Sequence, residues 1–312
     1  MNHRVFNNRA AWLAARKEGF GIGASDTAAI LGRSKYSGPW KVWASHKAPE
    51  LVSDSMSVAA HDGIDLEPAV VRMVARRESV ELVHHDFRID YHPTVPWLRC
   101  SPDATEGPLE APVAHWEVKC VFNAAVASEL PPSGNYTAQD MPVESWGWQA
   151  LHQMACMPTI TKVVIVVLCP WFEIRTYTIH RTKEAEATIA QALRRVQDFR
   201  DRCLLGDETP ELDASRECST FVDWRNPAPS DWHKTAAKRP TRNATPDEVE
   251  DAVAYAEACH NAKQADTTKR LARNRLVDGI GEFYRLNLPG GGRVTCSAGE
   301  RRRITVKLGG SK

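Results

Sequence analysis

The chain of 312 residues is 43% apolar and 25% charged with a formal net charge of +1, an ordinary globular composition with room for a substantial core. That balance excludes a whole-molecule polycation. Any nucleic-acid contact has to come from local clusters such as Arg72/Arg76/Arg77, Arg194/Arg195, Lys269/Arg270/Arg273/Arg275 and Arg301 to Arg303, each of which also reads as a solvated helix face.

In chain order, AAWLAARKEGFGIGASDTAAILG predicts a helix, a glycine-rich turn and a short second helix near Ser25, capped by the Ser25 hydroxyl or by Asp26. Residues 39–47 and 56–79 read as helices, the second with Leu66, Val70, Met73 and Val74 at helical spacing. Gly63 upstream and Pro68 just after it place Glu67 close to a helix start. From residue 80 to 122 the texture is that of strands: VELVHHDFRID, then WLRCSPDA, then HWEVKCVF. A helix over 144–157, strands over 161–169 and 173–180, and a long helix over 183–205 complete an expected α/β fold, a mixed central sheet flanked by helices.

Residues 1–205 therefore read as one domain, and 206–244, rich in Pro, Trp and charge, as a connecting segment draped over the surface. Residues 245–312 read as a helix-and-hairpin unit. It starts at Thr245-Pro246-Asp247-Glu248, which has capping-box spacing with proline at the first helical position. Its helix, carrying Val249, Val253, Ala256 and Leu271, could meet DNA, a protein partner, a neighbouring subunit or the core. The eight cysteines show no CxxC pair, which argues for reduced, mostly buried thiols. No apolar run approaches the roughly 20 residues of a membrane helix, and MNHRVFNNRA lacks a signal-peptide segment, so a soluble cytoplasmic protein is expected.

The stretch SPDATEGPLEAPVAHWEVKC mixes acids and an ammonium with core residues. On a strand, Glu117 and Lys119 project together, with His115, while Trp116, Val118 and Cys120 project the other way. Pro102 has no amide to give a ladder, so the chain should leave regular pairing at Asp103. If the two strands are antiparallel neighbours joined by loop 104–112, both carboxylates face one point. Two converging carboxylates form a hard oxygen site, suited to magnesium or manganese. Lysine on that face holds an attacking water or neutralises charge on a phosphate. The competing reading is a surface salt bridge between Glu117 and Lys119 or Asp103.

The ordered set Glu67, Ser101-Pro102-Asp103 and Glu117-Val118-Lys119 resembles the PD-(D/E)xK nuclease superfamily, and more closely its YqaJ-like viral recombinase branch of lambda-exonuclease type. WLAARKEGFGIGASD (Trp12 to Asp26) resembles that branch's amino-terminal motif, and Trp146, Gln149, Gln153 and Met154 match its later helix, so the likeness covers about residues 9–205. Trp146 stands where the branch commonly has tyrosine, and Leu151 where a second glutamine often stands.

The resemblance implies a restriction-endonuclease-like core. It implies that Asp103 and Glu117 bind two magnesium or manganese ions with the Val118 backbone carbonyl, that Glu67 assists, that Lys119 is catalytic and that Gln149 lies beside the centre. Arg16 and Ser25 would bind the 5′ phosphate of a DNA end; the longer KEGF turn leaves Lys17 as an alternative to Arg16. The activity so implied is 5′-to-3′ degradation of one strand of linear duplex DNA for recombination, by a ring of three subunits, in a phage or prophage context. The rivals are an endonuclease or RecB-like nuclease of other polarity, and a catalytically silent DNA-binding recombination protein. His115 and His152 read mainly as structural histidines, with a DNA contact as the alternative for His115; Trp146 and Trp148 read as core residues or base-stacking platforms.

Overall fold

A short strand, β1 (His3–Val5), leads into α1 (Arg9–Lys17), which Asn8 starts by accepting a hydrogen bond from the Ala11 amide at 2.9 Å. After a turn with Gly19 and Phe20 at positive φ, Gly23 caps α2 (Ala24–Ile30) and Asp26 folds back to accept from the Gly23 amide at 2.9 Å. Of the two capping residues expected, Asp26 is thus the one that closes the turn. Next come α3 (Pro39–Lys47), begun on its proline, and α4 (Val58–Glu78), begun where Ser57 accepts from the Ala60 amide at 3.2 Å. The computed structural model describes residues 3–52, 56–212, 216–225, 243–280, 285–288, 292–296 and 304–307.

The chain continues through β2 (Leu82–His84), β3 (Arg88–Tyr91), β4 (Arg99–Cys100), β5 (Ala104–Glu106) and β6 (Ala114–Cys120). It then forms α5 (Ala124–Glu129), β7 (Gly134–Asn135), α6 (Glu144–Cys156), β8 (Lys162–Leu168) and β9 (Ile174–His180). Two helices follow: α7 (Lys183–Phe199), prolonged by a π-helical turn Arg200–Leu205, and α8 (Arg216–Arg225). A six-stranded sheet has the order β2-β5-β6-β8-β9-β7, parallel at β6–β8 and β7–β9 and antiparallel elsewhere. A separate antiparallel sheet is ordered β1-β3-β4. This is the expected mixed sheet flanked by helices.

Burial on both sides explains why β8 reads KVVIVVL without alternation. Val163, Ile165 and Val167 pack with Ala150, Leu151 and Met154 of α6, while Val164, Val166 and Leu168 pack with Val70, Val71 and Val74 of α4 and with Trp116 and Val118 of β6. Each large aliphatic side chain so buried contributes about 1.5–3 kcal/mol. At Gly147 of α6 a Cβ would lie 2.1 Å from the Ala138 carbonyl oxygen, so the helix rests directly on that backbone.

Three local expectations change. WLRCSPDA is not one strand: β4 belongs to the small sheet, β5 to the large one, and the break falls at Pro102. Helix α4 runs through both Gly63 and Pro68, so Glu67 is mid-helix; the preceding turns already carry the chain and Pro68 only removes one amide donor. Within 206–244, read as surface connection, α8 buries Cys218 and sets Phe221 against Trp40 and Trp43 at ring separations of 4.7 and 4.9 Å.

The chain divides into two units, Met1–Ala228 and Pro229–Lys312. In the second, Thr245 and Glu248 form the expected capping box at the start of α9 (Pro246–Ile280), with bonds of 2.8 and 3.3 Å. It also has an antiparallel sheet of β10 (Arg285–Asn287), β11 (Arg293–Cys296) and β12 (Ile304–Lys307), where Val294 and Cys296 pack with Leu276, Leu288 and Ile304. Val249, Val253 and Leu271 of α9 are about half exposed. Among the described residues no helix is long and apolar enough to cross a membrane.

Candidate active site

Strand β6 faces two ways. Trp116 and Val118 join the apolar layer under α4, and Glu117 and Lys119 face α6. Glu117 is nearly buried and fully engaged: Oε1 accepts from Lys119 Nζ at 2.7 Å and from Gln149 Nε2, and Oε2 accepts from Gln153 Nε2 at 2.7 Å. Gln149 and Gln153 are one helical turn apart on α6, so the (i, i+4) spacing seen in the sequence puts both amides over one carboxylate.

Asp103 sits where the chain enters β5, and the register Ala104↔Trp116 sets it beside the middle of β6. Its Oδ2 accepts from the Val118 amide at 2.7 Å; the Val118 group that meets Asp103 is its N–H. Glu67 reaches the cluster from α4 and is held by His84 Nε2 at 2.9 Å. Nothing in the sequence marks His84, since a single histidine in a short strand carries no signal. Its place in register with Ala104 brings it next to Asp103.

The electrostatics follow from crowding. Burial raises the Asp103 pKa, and the negative charges of Glu117 and Glu67 add to it against opposition from Lys119, so the carboxyl lies well above its ordinary range. At Lys119 burial acts to lower the pKa, but the Glu117 and Asp103 carboxylates outweigh it and hold the ammonium above its usual value. Lys119 is therefore a cation at neutral pH, able to polarise or neutralise but not to abstract a proton. A hard divalent cation suits this donor set by its chemistry: the carboxylates of Asp103, Glu117 and Glu67 are near enough to repel one another, with the single Lys119 ammonium against them. Among the described residues, however, the one group of three donors lying within 4.8 Å of one another is Asp90, Cys100 and His115, not the acids of this cluster. Asp103 is turned to the Val118 amide and Glu117 to its three donors, which accounts for the acids' wider spread.

Lys119 and Gln149 open onto a cleft of about 490 Å³ that is also lined by Arg16, Lys17, Ser25, Asp26, Lys41 and Trp146. Arg16 is aimed there by stacking over Trp12 at 4.6 Å, and the Trp12 indole donates to Ser101 Oγ at 3.2 Å, two residues before Asp103. Gly23 makes room, since a Cβ there would stand 3.1 Å from the Arg16 guanidinium. Arg99 fixes the turn from below, donating to the carbonyls of Ala15, Glu18 and Pro96. The amino-terminal motif and the acid cluster are thus physically joined.

Other candidates fall elsewhere. His115 shares the Glu117 face but is fully buried, 3.3 Å from Asp90, and does not reach the cleft. His152 is buried between Thr27 Oγ1 at 2.6 Å and the Arg99 carbonyl at 2.9 Å, so Nε2 carries the proton and Nδ1 accepts; burial pushes its pKa down to about 4. Trp146 lines the cleft, whereas Trp148 packs against the core with Leu151 and Ile189.

A family model described as the YqaJ-like viral recombinase domain matches residues 11–161, a span that contains Arg16, Ser25, Glu67, Asp103, Glu117, Lys119 and Gln149. The uncharacterized protein YqaJ of Bacillus subtilis (strain 168) is 26% identical over 219 residues, 70% of this chain and 63% of that protein. An alkaline exonuclease from Laribacter hongkongensis superposes with a TM-score of 0.48 at 17% identity, over 74% of this chain and 99% of that one. A phage-related exonuclease from Haemophilus somnus 129PT does so with a TM-score of 0.43 at 11% identity, over 62% and 98%. Over residues 11–161, just under half of its length, the chain is thus similar to the YqaJ-like viral recombinase domain.

Proposed function

We propose that the chain is a metal-dependent exodeoxyribonuclease that degrades one strand of linear duplex DNA from a 5′-phosphorylated end, leaving a 3′ single strand for recombination. The observation that carries this reading is the meeting of Asp103, Glu117 and Glu67 with the Lys119 ammonium beside a cleft that also holds Arg16. Magnesium or manganese, two ions per site, would be held by Asp103, Glu117 and Glu67 and would supply Lewis acidity and a water of lowered pKa.

The chain's own groups do the rest. Gln149 and Gln153 hold the Glu117 carboxylate in one orientation. Lys119 meets negative charge developing on the phosphate or holds the attacking water. Arg16 makes paired hydrogen bonds to the terminal phosphate, with Ser25 and Lys17 along the same wall. Trp146 offers a ring for the terminal base. Binding through phosphates weakens as salt rises. A ring of three subunits would explain processive action, and residues 245–312 would contact DNA, a neighbouring subunit or a single-strand annealing partner. The working place is the cytoplasm of a bacterial host, as a phage or prophage product.

The test is digestion of 5′-phosphorylated linear duplex and of closed circles, each with magnesium or with chelator. Release of nucleotides from the linear substrate alone, in magnesium alone, is the expected result. Cleavage of circles identifies an endonuclease, and no cleavage of either leaves a DNA-binding protein.

A further inference from the structure

A second set of donors lies deeper in the fold. Asp90 of β3, Cys100 of β4 and His115 of β6 bring a carboxylate oxygen, a sulfur and a ring nitrogen within 4.8 Å of one another, and all three residues are buried. Asp90 Oδ2 faces His115 Nε2 as an ion pair at 3.3 Å without hydrogen-bond alignment, and the buried His115 Nδ1 has no hydrogen-bond partner. The other Asp90 oxygen accepts from Arg88 Nε at 2.7 Å, which turns Oδ2 inward. Cys156 of α6 adds a thiol beside them: it packs with Cys100, and its Sγ is 3.1 Å from the Asp90 carbonyl.

We propose that Asp90, Cys100 and His115 form a structural site for a thiophilic divalent cation of the zinc class, with Cys156 as candidate for the fourth position. The donor set is the mixture of carboxylate, thiolate and imidazole that zinc accepts, unlike the all-oxygen cluster of the cleft. Charge balances as well. The ion with the Asp90 carboxylate and two thiolates, whose protons leave to solvent, carries −1, which the Arg88 guanidinium neutralises.

The site would staple the small sheet, through β3 and β4, to the large sheet at β6 and to α6. It would do so directly under the reaction centre, because His115 precedes Glu117 by two residues and Cys156 follows Gln153, a donor to Glu117, by three. It is independent of the nuclease reading, which can fail with this site intact.

The full chain, purified without chelator from cells grown with added zinc, is expected to carry about one zinc per chain by inductively coupled plasma mass spectrometry. That metal should persist in Asp103→Ala and be lost in Cys100→Ser. Cobalt-substituted wild-type protein should show a thiolate-to-cobalt charge-transfer band, which tests the site even where Cys100→Ser does not fold. Substoichiometric zinc together with no such band overturns the proposal and leaves the cluster as a buried ion pair of Arg88, Asp90 and His115.

Discussion

Three polar residues share one face of β6, yet they live in different surroundings. The side chains of His115, Glu117 and Lys119 are 0%, 6% and 25% exposed, so a single strand runs from a sealed end to an open one. At the sealed end polar groups are held by the fold, and removing one leaves its partners stranded. At the open end like charges are pressed together without full compensation, which is expensive for stability and useful for binding cations and phosphates. Alternation along a strand assigns a face; only the elements packed over it assign depth.

The largest effect belongs to the open end. Asp103→Ala should lower nuclease activity by at least roughly 10³-fold while duplex DNA still binds in a mobility-shift assay. Retained digestion would remove Asp103 from the site. The contrast between the ends is sharpened by a pair of substitutions followed by thermal unfolding. His115→Phe, which leaves Asp90 Oδ2 without its ion-pair partner, should cost about 3–5 kcal/mol and lower Tm by about 10 °C or more, whereas Lys119→Met should cost activity with Tm nearly unchanged. Equal losses of Tm would erase the distinction.

Acid should act on the covered side of α6. The folded-state pKa of His152 is depressed to about 4, so the unfolded chain takes up a proton first as pH falls below about 6.5. Stability should therefore decline from pH 6.5 downward, by about 2 kcal/mol at pH 5, and His152→Gln should flatten that slope in a Tm-versus-pH series. The smallest effect is expected from His84→Ala, which frees Glu67. The magnesium concentration for half-maximal activity should rise roughly tenfold with little change in the maximal rate. A changed maximum at the same magnesium requirement would place His84 in the chemistry itself.

Much of this was written in local pattern. Helical spacing marks α4 and α6, unbroken apolar runs mark β8, and strand alternation sets Glu117 and Lys119 on one face of β6. What stayed hidden depends on partners distant in the chain. Helix α8 has no clear apolar period because it is defined by Trp40 and Trp43, nearly 180 residues earlier. Strand β5, only three residues long, looked like loop because its identity comes from pairing with β2 and β6. His84 acquires meaning through a carboxylate seventeen positions away on α4, and the burial of His115, read mainly as a structural histidine, excludes the alternative of a DNA contact through packing that alternation does not encode.

Gly147 contributes no chemistry, yet the helix bearing both glutamines lies against the Ala138 carbonyl because this position has no side chain. A methyl group there would have to lift α6 or displace the 138 segment, and the two amides that grip Glu117 would move with the helix. The aim of the carboxylate is thus set from behind, by contact between two stretches of backbone. A substitution distant from every reacting atom could detune the centre while its charged residues all remain in place.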